Sequence, residues 1–247
     1  MFGTLIAACR TLTAYIFVSL YTLIFGPIGL LLAIIFRWNN ALYQLANFAV
    51  RAALAIVGIR YEVEGREHID PDRPTVYCVN HASNIEPPVL FLVLSKIFPR
   101  LQIIYKAELR KLPILGYGFH LVGFVPIQRG NREQSAAAIE QAARQLREGN
   151  SFMVFPEGTR SRTGELLPFK KGAFILSIRA QVPVVPLAIS GAREAMRKGS
   201  PIIRPVTVKV KLAPPVPTAG LGMDGRDVLI EKVRTDIQAM LKASAAA

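Results

Sequence analysis

Acidic residues are scarce in this chain: 17 Asp and Glu stand against 30 Lys and Arg, a formal charge of +13. Cysteine is almost absent, with only Cys9 and Cys78. That excludes a disulfide framework or a CxxC metal site, and two reduced thiols suit a cytosol-facing protein. Histidine is also rare, with 3 in all. His68 lies in a charged turn and His120 in an apolar one, which leaves His81 as the candidate of interest. There is no G-x-S-x-G elbow, so a serine hydrolase lacks its nucleophile. No nucleic-acid motif accompanies the basic charge. What the chain has in quantity is apolar surface, 51% of its residues. Apolar and basic together point to an anionic membrane surface or an anionic substrate.

The 247 residues suit one compact domain with an appendage. The appendage is residues 1–59. Residues 11–36 carry no charge at all, long enough for a membrane helix of roughly 20 residues. Gly26-Pro27 interrupts this run, and the proline predicts a kink or a break. Either one kinked span or a pair of shorter helices in one leaflet follows. In residues 37–59 the polar Asn40, Gln44, Asn47 and Arg51 recur at spacings of 4, 3 and 4. That is one narrow polar stripe on an otherwise apolar helix.

From Arg60 onward strands and helices alternate. "RYEVEG", "TVYCVN", "LQIIYK", "LVGFVPIQR", "SFMVFP" and "VPVVPLAIS" read as strands. "PPVLFLVLSKIF", "NREQSAAAIEQAARQLREGN", "GAFILSIRA" and a segment from Asp224 to Ala243 read as helices. "VTVKVKLAPPV" alternates as a half-exposed edge strand does. The expected fold over 60–247 is α/β, a mostly parallel sheet flanked by helices.

The stretch "VYCVNHASNIEPPVLF" holds His81 and Glu86. Five residues of regular helix turn through about 500 degrees, so the two side chains meet only across a turn. The small residues Ala82 to Ile85 supply one, and the α/β pattern puts it at a strand's carboxyl end. Glu86 precedes a proline and is therefore expected to be extended. A second reading competes. Ser83-Asn84-Ile85-Glu86 matches a capping box, with Glu86 only capping a helix. That box would place Pro87 fourth in the helix, where its missing N–H loses a bond. Cys78 lies in a strand on the face opposite His81, a poor rival nucleophile. Further along, "FPEGTRSRTGELLPFKKGAF" places Glu157, Gly158 and Arg160 in a loop able to face a phosphate, or to form a plain turn.

In this order the segments resemble the glycerolipid acyltransferases of the 1-acylglycerol-3-phosphate O-acyltransferase (lysophosphatidic acid acyltransferase) type. That family's N-H-x-x-x-x-D motif reads here as Asn80-His81 followed by Glu86, a glutamate where the family has aspartate. "KAELRKLPILGYGFHLVGFVPIQR", "FPEGTRS" and "VPVVPLAISG" resemble its remaining motifs. The resemblance implies a membrane-bound enzyme that acylates the sn-2 hydroxyl of lysophosphatidic acid. Its donor would be acyl-CoA or an acylated acyl carrier protein, and it would use no cofactor or metal. His81 would be the general base, oriented by Glu86, with no covalent intermediate. Arg129, Glu157, Gly158, Thr159 and Arg160 would shape the acceptor's phosphate site, with Glu157 holding Arg160 or the loop. Lys106 would face the phosphate or the donor. Lys170 and Lys171 read as facing the donor or the lipid, or equally as a plain solvated face. The catalytic part would lie on the cytoplasmic face. Another lysophospholipid or an acylated amino lipid remains an alternative acceptor. A hydrolase and a non-catalytic membrane binder are more distant readings.

Overall fold

The computed structural model describes residues 2–128, 130 and 132–245, with only the backbone at residues 2 and 132. Two long helices come first, α1 (Phe2–Ile35) and α2 (Asn39–Val57). Then follow β1 (Arg60–Glu64), β2 (Val76–Val79), α3 (Glu86–Val93), β3 (Leu101–Lys106), α4 (Pro113–Leu121) and β4 (Val125–Ile127). The remainder is α5 (Arg132–Arg147), β5 (Ser151–Val154), α6 (Gly172–Ala180), β6 (Val184–Ser190), α7 (Ala192–Ala195), β7 (Thr207–Leu212) and α8 (Arg226–Ala245).

The seven strands form one sheet in the order β1-β7-β6-β2-β5-β3-β4. Every neighbouring pair is parallel except β6 with β7. The α/β expectation of a mostly parallel sheet between helices therefore holds. Strand β2 is buried on both faces, which explains its unbroken apolar run. Tyr77 and Val79 enter one core with Val89 and Leu90 of α3. Val76 and Cys78 enter the other with Leu146 of α5, Phe174 of α6 and Val233 of α8.

Strand β7 is not an edge strand. It lies between β1 and β6. Its alternation is real, with Val208, Val210 and Leu212 buried. Alternation reports a half-exposed face, however, and carries no information on whether a further strand pairs alongside. Pro186 sits in central β6, where a proline normally breaks the ladder. Its carbonyl accepts from the Ala213 N–H at 3.0 Å, just beyond the end of β7. The side on which Pro186 lacks a donor is thus where the β6–β7 ladder has already stopped.

One further expectation is corrected. Helix α1 runs unbroken through Pro27, so the reading of two short helices there does not hold. Between β3 and β4 the chain forms the helix α4. Pro113 stands in its first turn, where a missing N–H costs nothing. Gly116 is required there, because a Cβ would collide with the Arg110 carbonyl.

The helical pair is fastened to the sheet half along its length. Near the start of α1, the Thr11 hydroxyl donates to the Ile203 carbonyl at 3.3 Å and accepts the Ile203 N–H at 2.9 Å. The Tyr15 hydroxyl donates to the Pro201 carbonyl at 2.9 Å. Toward the turn between the helices, Gly26 lies against Ile114 of α4, and the Tyr43 hydroxyl donates to the Leu101 carbonyl at 2.6 Å. The other face of α1 leaves Leu12, Ile16, Leu23, Leu31 and Ile35 exposed.

Candidate active site

Strand β2 delivers Asn80 and His81 at its carboxyl end. Asn80 continues the sheet with its side chain. Its Nδ2 donates to the Ile189 carbonyl at 2.9 Å, and its Oδ1 accepts the Ile189 N–H at 2.8 Å. These two bonds replace the ladder that β2 has just left and fix where the chain turns. This role is absent from the residue pattern alone, because Ile189 lies 109 positions away.

The next residues wrap around one carboxylate. Glu86, 1% exposed, brings Oε2 to 2.6 Å from His81 Nδ1. It also accepts the Ala82 N–H at 2.9 and 3.0 Å and the Ser83 N–H at 3.0 Å. The Ser83 hydroxyl in turn accepts the Ile85 N–H at 3.2 Å. The pair and the cap were alternatives in the sequence; the structure forms the pair, and the carboxylate ties the amides of the turn before the helix rather than capping it. Glu86 is not extended, as the following proline suggested, but is the first residue of α3. The helix's first bond runs from the Val89 N–H to the Ile85 carbonyl. Pro87 and Pro88 thus occupy first-turn positions that have no intrahelical acceptor to lose.

The carboxylate on Nδ1 sets the tautomer of the imidazole. Nδ1 carries the proton and donates it to Glu86, so Nε2 presents a lone pair. Among the described residues nothing hydrogen-bonds to Nε2. The ring is stacked on Phe155 at 4.1 Å between centroids, and the side chain is 14% exposed. An aligned, partly open Nε2 is the geometry of a general base. Burial pushes the Glu86 carboxyl upward, while the bond from His81 and those from Ala82 and Ser83 pull against that shift.

The loop after the neighbouring strand β5 holds the histidine's backbone. Glu157 Oε1 accepts the His81 N–H at 2.6 Å, and the Ser161 N–H donates to the His81 carbonyl at 2.7 Å. Glu157 Oε2 accepts the Leu167 N–H at 2.9 Å. The carboxylate therefore holds the loop, as one of the two expectations had it, and makes no pair with Arg160. Burial raises the Glu157 carboxyl to about 7, against its two amide donors, with the Glu86 charge adding to the rise.

Gly158 turns the chain at φ +67, a left-handed value that suits glycine. Thr159 is exposed and Arg160 half-buried, and the Arg160 guanidinium has no partner among the described residues. Lys106 ends β3, is 51% exposed and pairs with Glu108 at 3.2 Å. No hydrogen bond or ion pair among the described residues joins it to the His81 turn. Arg129 lies outside the described residues. Cys78 is fully buried on the opposite face, and burial pushes its thiol up, as expected of an inert side chain. Among the described residues, no cluster of three or more His, Cys, Asp or Glu could hold a metal.

A family model described as acyltransferase matches residues 60–190. The chain belongs to the acyltransferase family. The 1-acyl-sn-glycerol-3-phosphate acyltransferase of Limnanthes douglasii is 32% identical over 210 residues, covering 83% of this chain and 73% of that protein. The human 1-acyl-sn-glycerol-3-phosphate acyltransferase alpha is 35% identical over 181 residues, 72% of this chain and 62% of the human one. The crystal structure of the 1-acyl-sn-glycerophosphate acyltransferase of Thermotoga maritima superposes with a TM-score of 0.82, covering 97% of both chains at 24% identity. The fold is thus shared over the helical pair as well as the sheet. These relatives bear out the motif-based resemblance and place the chain among the O-acyltransferases.

Proposed function

We propose that this acyltransferase moves a fatty acyl group from a thioester donor to the sn-2 hydroxyl of 1-acylglycerol-3-phosphate, yielding phosphatidic acid. The observation that carries the chemistry is the His81 Nδ1–Glu86 bond of 2.6 Å, which leaves Nε2 without a hydrogen-bond partner among the described residues. The choice of acceptor rests on the named relatives.

The acceptor's hydroxyl gives its proton to His81 Nε2, and its oxygen attacks the thioester carbonyl. An imidazole that keeps its own proton on Nδ1 and a free lone pair on Nε2 suits this work. Glu86 stabilises the imidazolium that forms and keeps the ring in register. When the tetrahedral intermediate collapses, the imidazolium protonates the departing thiolate. No covalent enzyme intermediate and no cofactor enters this scheme; acyl-CoA or an acylated carrier protein serves as donor. The Ala82 and Ser83 amides are taken by Glu86, so the developing oxyanion draws on other donors.

The same reading places the protein at a membrane. Two helices are long and apolar enough to cross one. Helix α1, with 34 residues at 1.5 Å each, is about 51 Å long, more than a hydrocarbon core of about 30 Å needs. Its ties to the sheet half at Thr11, Tyr15 and Gly26 favour a pair lying along the domain, with its exposed apolar face in the lipid. The unpaired thiols of Cys9 and Cys78 fit a catalytic part on the reducing, cytoplasmic side.

The test is an acceptor and donor panel on the detergent-purified full chain. Acyl transfer to 1-acylglycerol-3-phosphate that exceeds transfer to other lysolipids supports the proposal. Equal turnover on acceptors without a phosphomonoester, or fatty acid release without an acceptor, overturns it.

A further inference from the structure

The segment after α7 belongs to none of the motifs, yet it returns one side chain to the active-site loop. Lys198 Nζ donates to the Arg160 carbonyl at 2.9 Å. The same Arg160–Ser161 peptide donates its N–H to the His81 carbonyl. In a trans peptide the C=O and N–H point in opposite directions. Lys198 and His81 therefore flank one peptide plane from its two sides. The segment is held there by the Ser83 hydroxyl, which donates to the Met196 carbonyl at 2.8 Å.

A second lysine covers the start of the turn. A Cβ placed on Gly158 would lie 2.9 Å from both Cε and Nζ of Lys170. The side chain of Lys170 thus crosses the glycine itself. Arg160 completes the set. Two ammonium groups thus reach residues 158–160, the stretch that carries Arg160, and among the described residues none of the three cations pairs with a carboxylate. The turn's own acid, Glu157, has both oxygens engaged by amides. Like charges gathered without a counter-charge are a standing repulsion that an anion relieves.

We infer that Lys170 and Lys198 join Arg160 at the acceptor's phosphate and that their two ammonium groups select a phosphomonoester over a phosphodiester. A monoester carries a charge of about −1.5 to −2 at pH 7, whereas a diester carries one negative charge. The ammonium groups act as point charges with donors to spare beyond the Lys198–Arg160 bond. The inference rests on the acceptor reading above and deepens it: Lys198 and Lys170 become specificity-determining residues.

The experiment compares wild type, K198A, K198R and K170A on short-chain 1-acylglycerol-3-phosphate and on a lysophosphatidylglycerol of the same chain. The diester serves as a substrate or, where it is not turned over, as a competitive inhibitor. For K198A and K170A, KM for the monoester should rise about tenfold while kcat stays within about twofold, the loss expected for one charge-assisted contact. The constant for the diester should stay within about twofold, so the preference falls about tenfold. K198R should restore most of it. Equal losses on both lipids would mark Lys198 as a structural support of the loop and overturn the inference, as would an unchanged KM. Failure of the wild type to use the monoester would overturn the acceptor reading itself, before any variant is compared.

Discussion

The turn after β2 and the loop after β5 leave the sheet side by side, and each buries a glutamate against His81. The first is a local structure. Glu86 finds its partners within residues 81–83, and its carboxylate reaches the imidazole. The second is non-local. Glu157 reaches back 76 positions to the backbone of the same histidine and forward 10 to Leu167. One carboxylate thus sets the ring and the other sets the main chain that carries it. Chemistry and placement are thus separated: of the two, only Glu86 touches the imidazole ring that takes the proton, at Nδ1 on the side away from the reacting Nε2.

The sharpest way to break that division is to remove what both loops hold. His81→Ala should lower turnover by roughly a thousandfold, within the range for losing a general base, while the thermal midpoint moves little. Undiminished transfer by the folded variant would refute the assignment of the base. The next largest effect concerns Glu157 and pH. Its folded pKa of about 7 lies above the ordinary 4.5, so between these values the folded state holds a proton that the unfolded state has released. This contribution to stability is fully present below pH 4.5 and is lost as pH rises through 7, by on the order of 3 kcal/mol. Denaturant melts at pH 4.5 and pH 8 should show the decline, and Glu157→Gln should flatten it. A wild-type slope that Glu157→Gln leaves intact would assign it to another group.

Glu86→Gln should come third, with kcat lower by about ten- to a hundredfold, because the amide no longer stabilises an imidazolium. Glu86→Asp should retain more activity than Glu86→Gln yet melt earlier, since the shorter stem gives up part of its hold on the Ala82 and Ser83 amides. If Glu86→Gln lost only stability, holding that turn would be its whole function. Smallest in stability is Arg160→Ala on the outer side of the β5 loop. Its unpartnered guanidinium predicts a melt within about 0.5 kcal/mol of wild type, with the whole loss in acceptor KM. A large drop in stability there would erase the contrast between the two loops.

Much of the first loop was legible beforehand. Small residues after a strand, a glutamate and two prolines describe a turn entering a helix, which lets His81 meet Glu86, while the same residues also read as a helix cap. The error at Glu86, expected extended but found helical, came from the bias of a residue before proline toward extended backbone, which the helix starting from the Ile85 carbonyl overrides. The second loop was readable as a turn by Gly158, but not as the clamp on His81. Arg160's freedom and Lys198's approach were equally invisible, because both depend on which distant backbone arrives beside them.

The alternation of strands and helices, the charge-free N-terminal run and the spacing of His81 to Glu86 were decided by the sequence alone. Each depends on residues within a few turns of one another, where periodicity and turn chemistry are sufficient. The interior position of β7, the Asn80 link to Ile189 and the grip of Glu157 on His81 were decided only by the tertiary structure. Each joins segments many tens of residues apart, and hydrogen bonds of that kind are specified by sheet order, which local pattern does not encode.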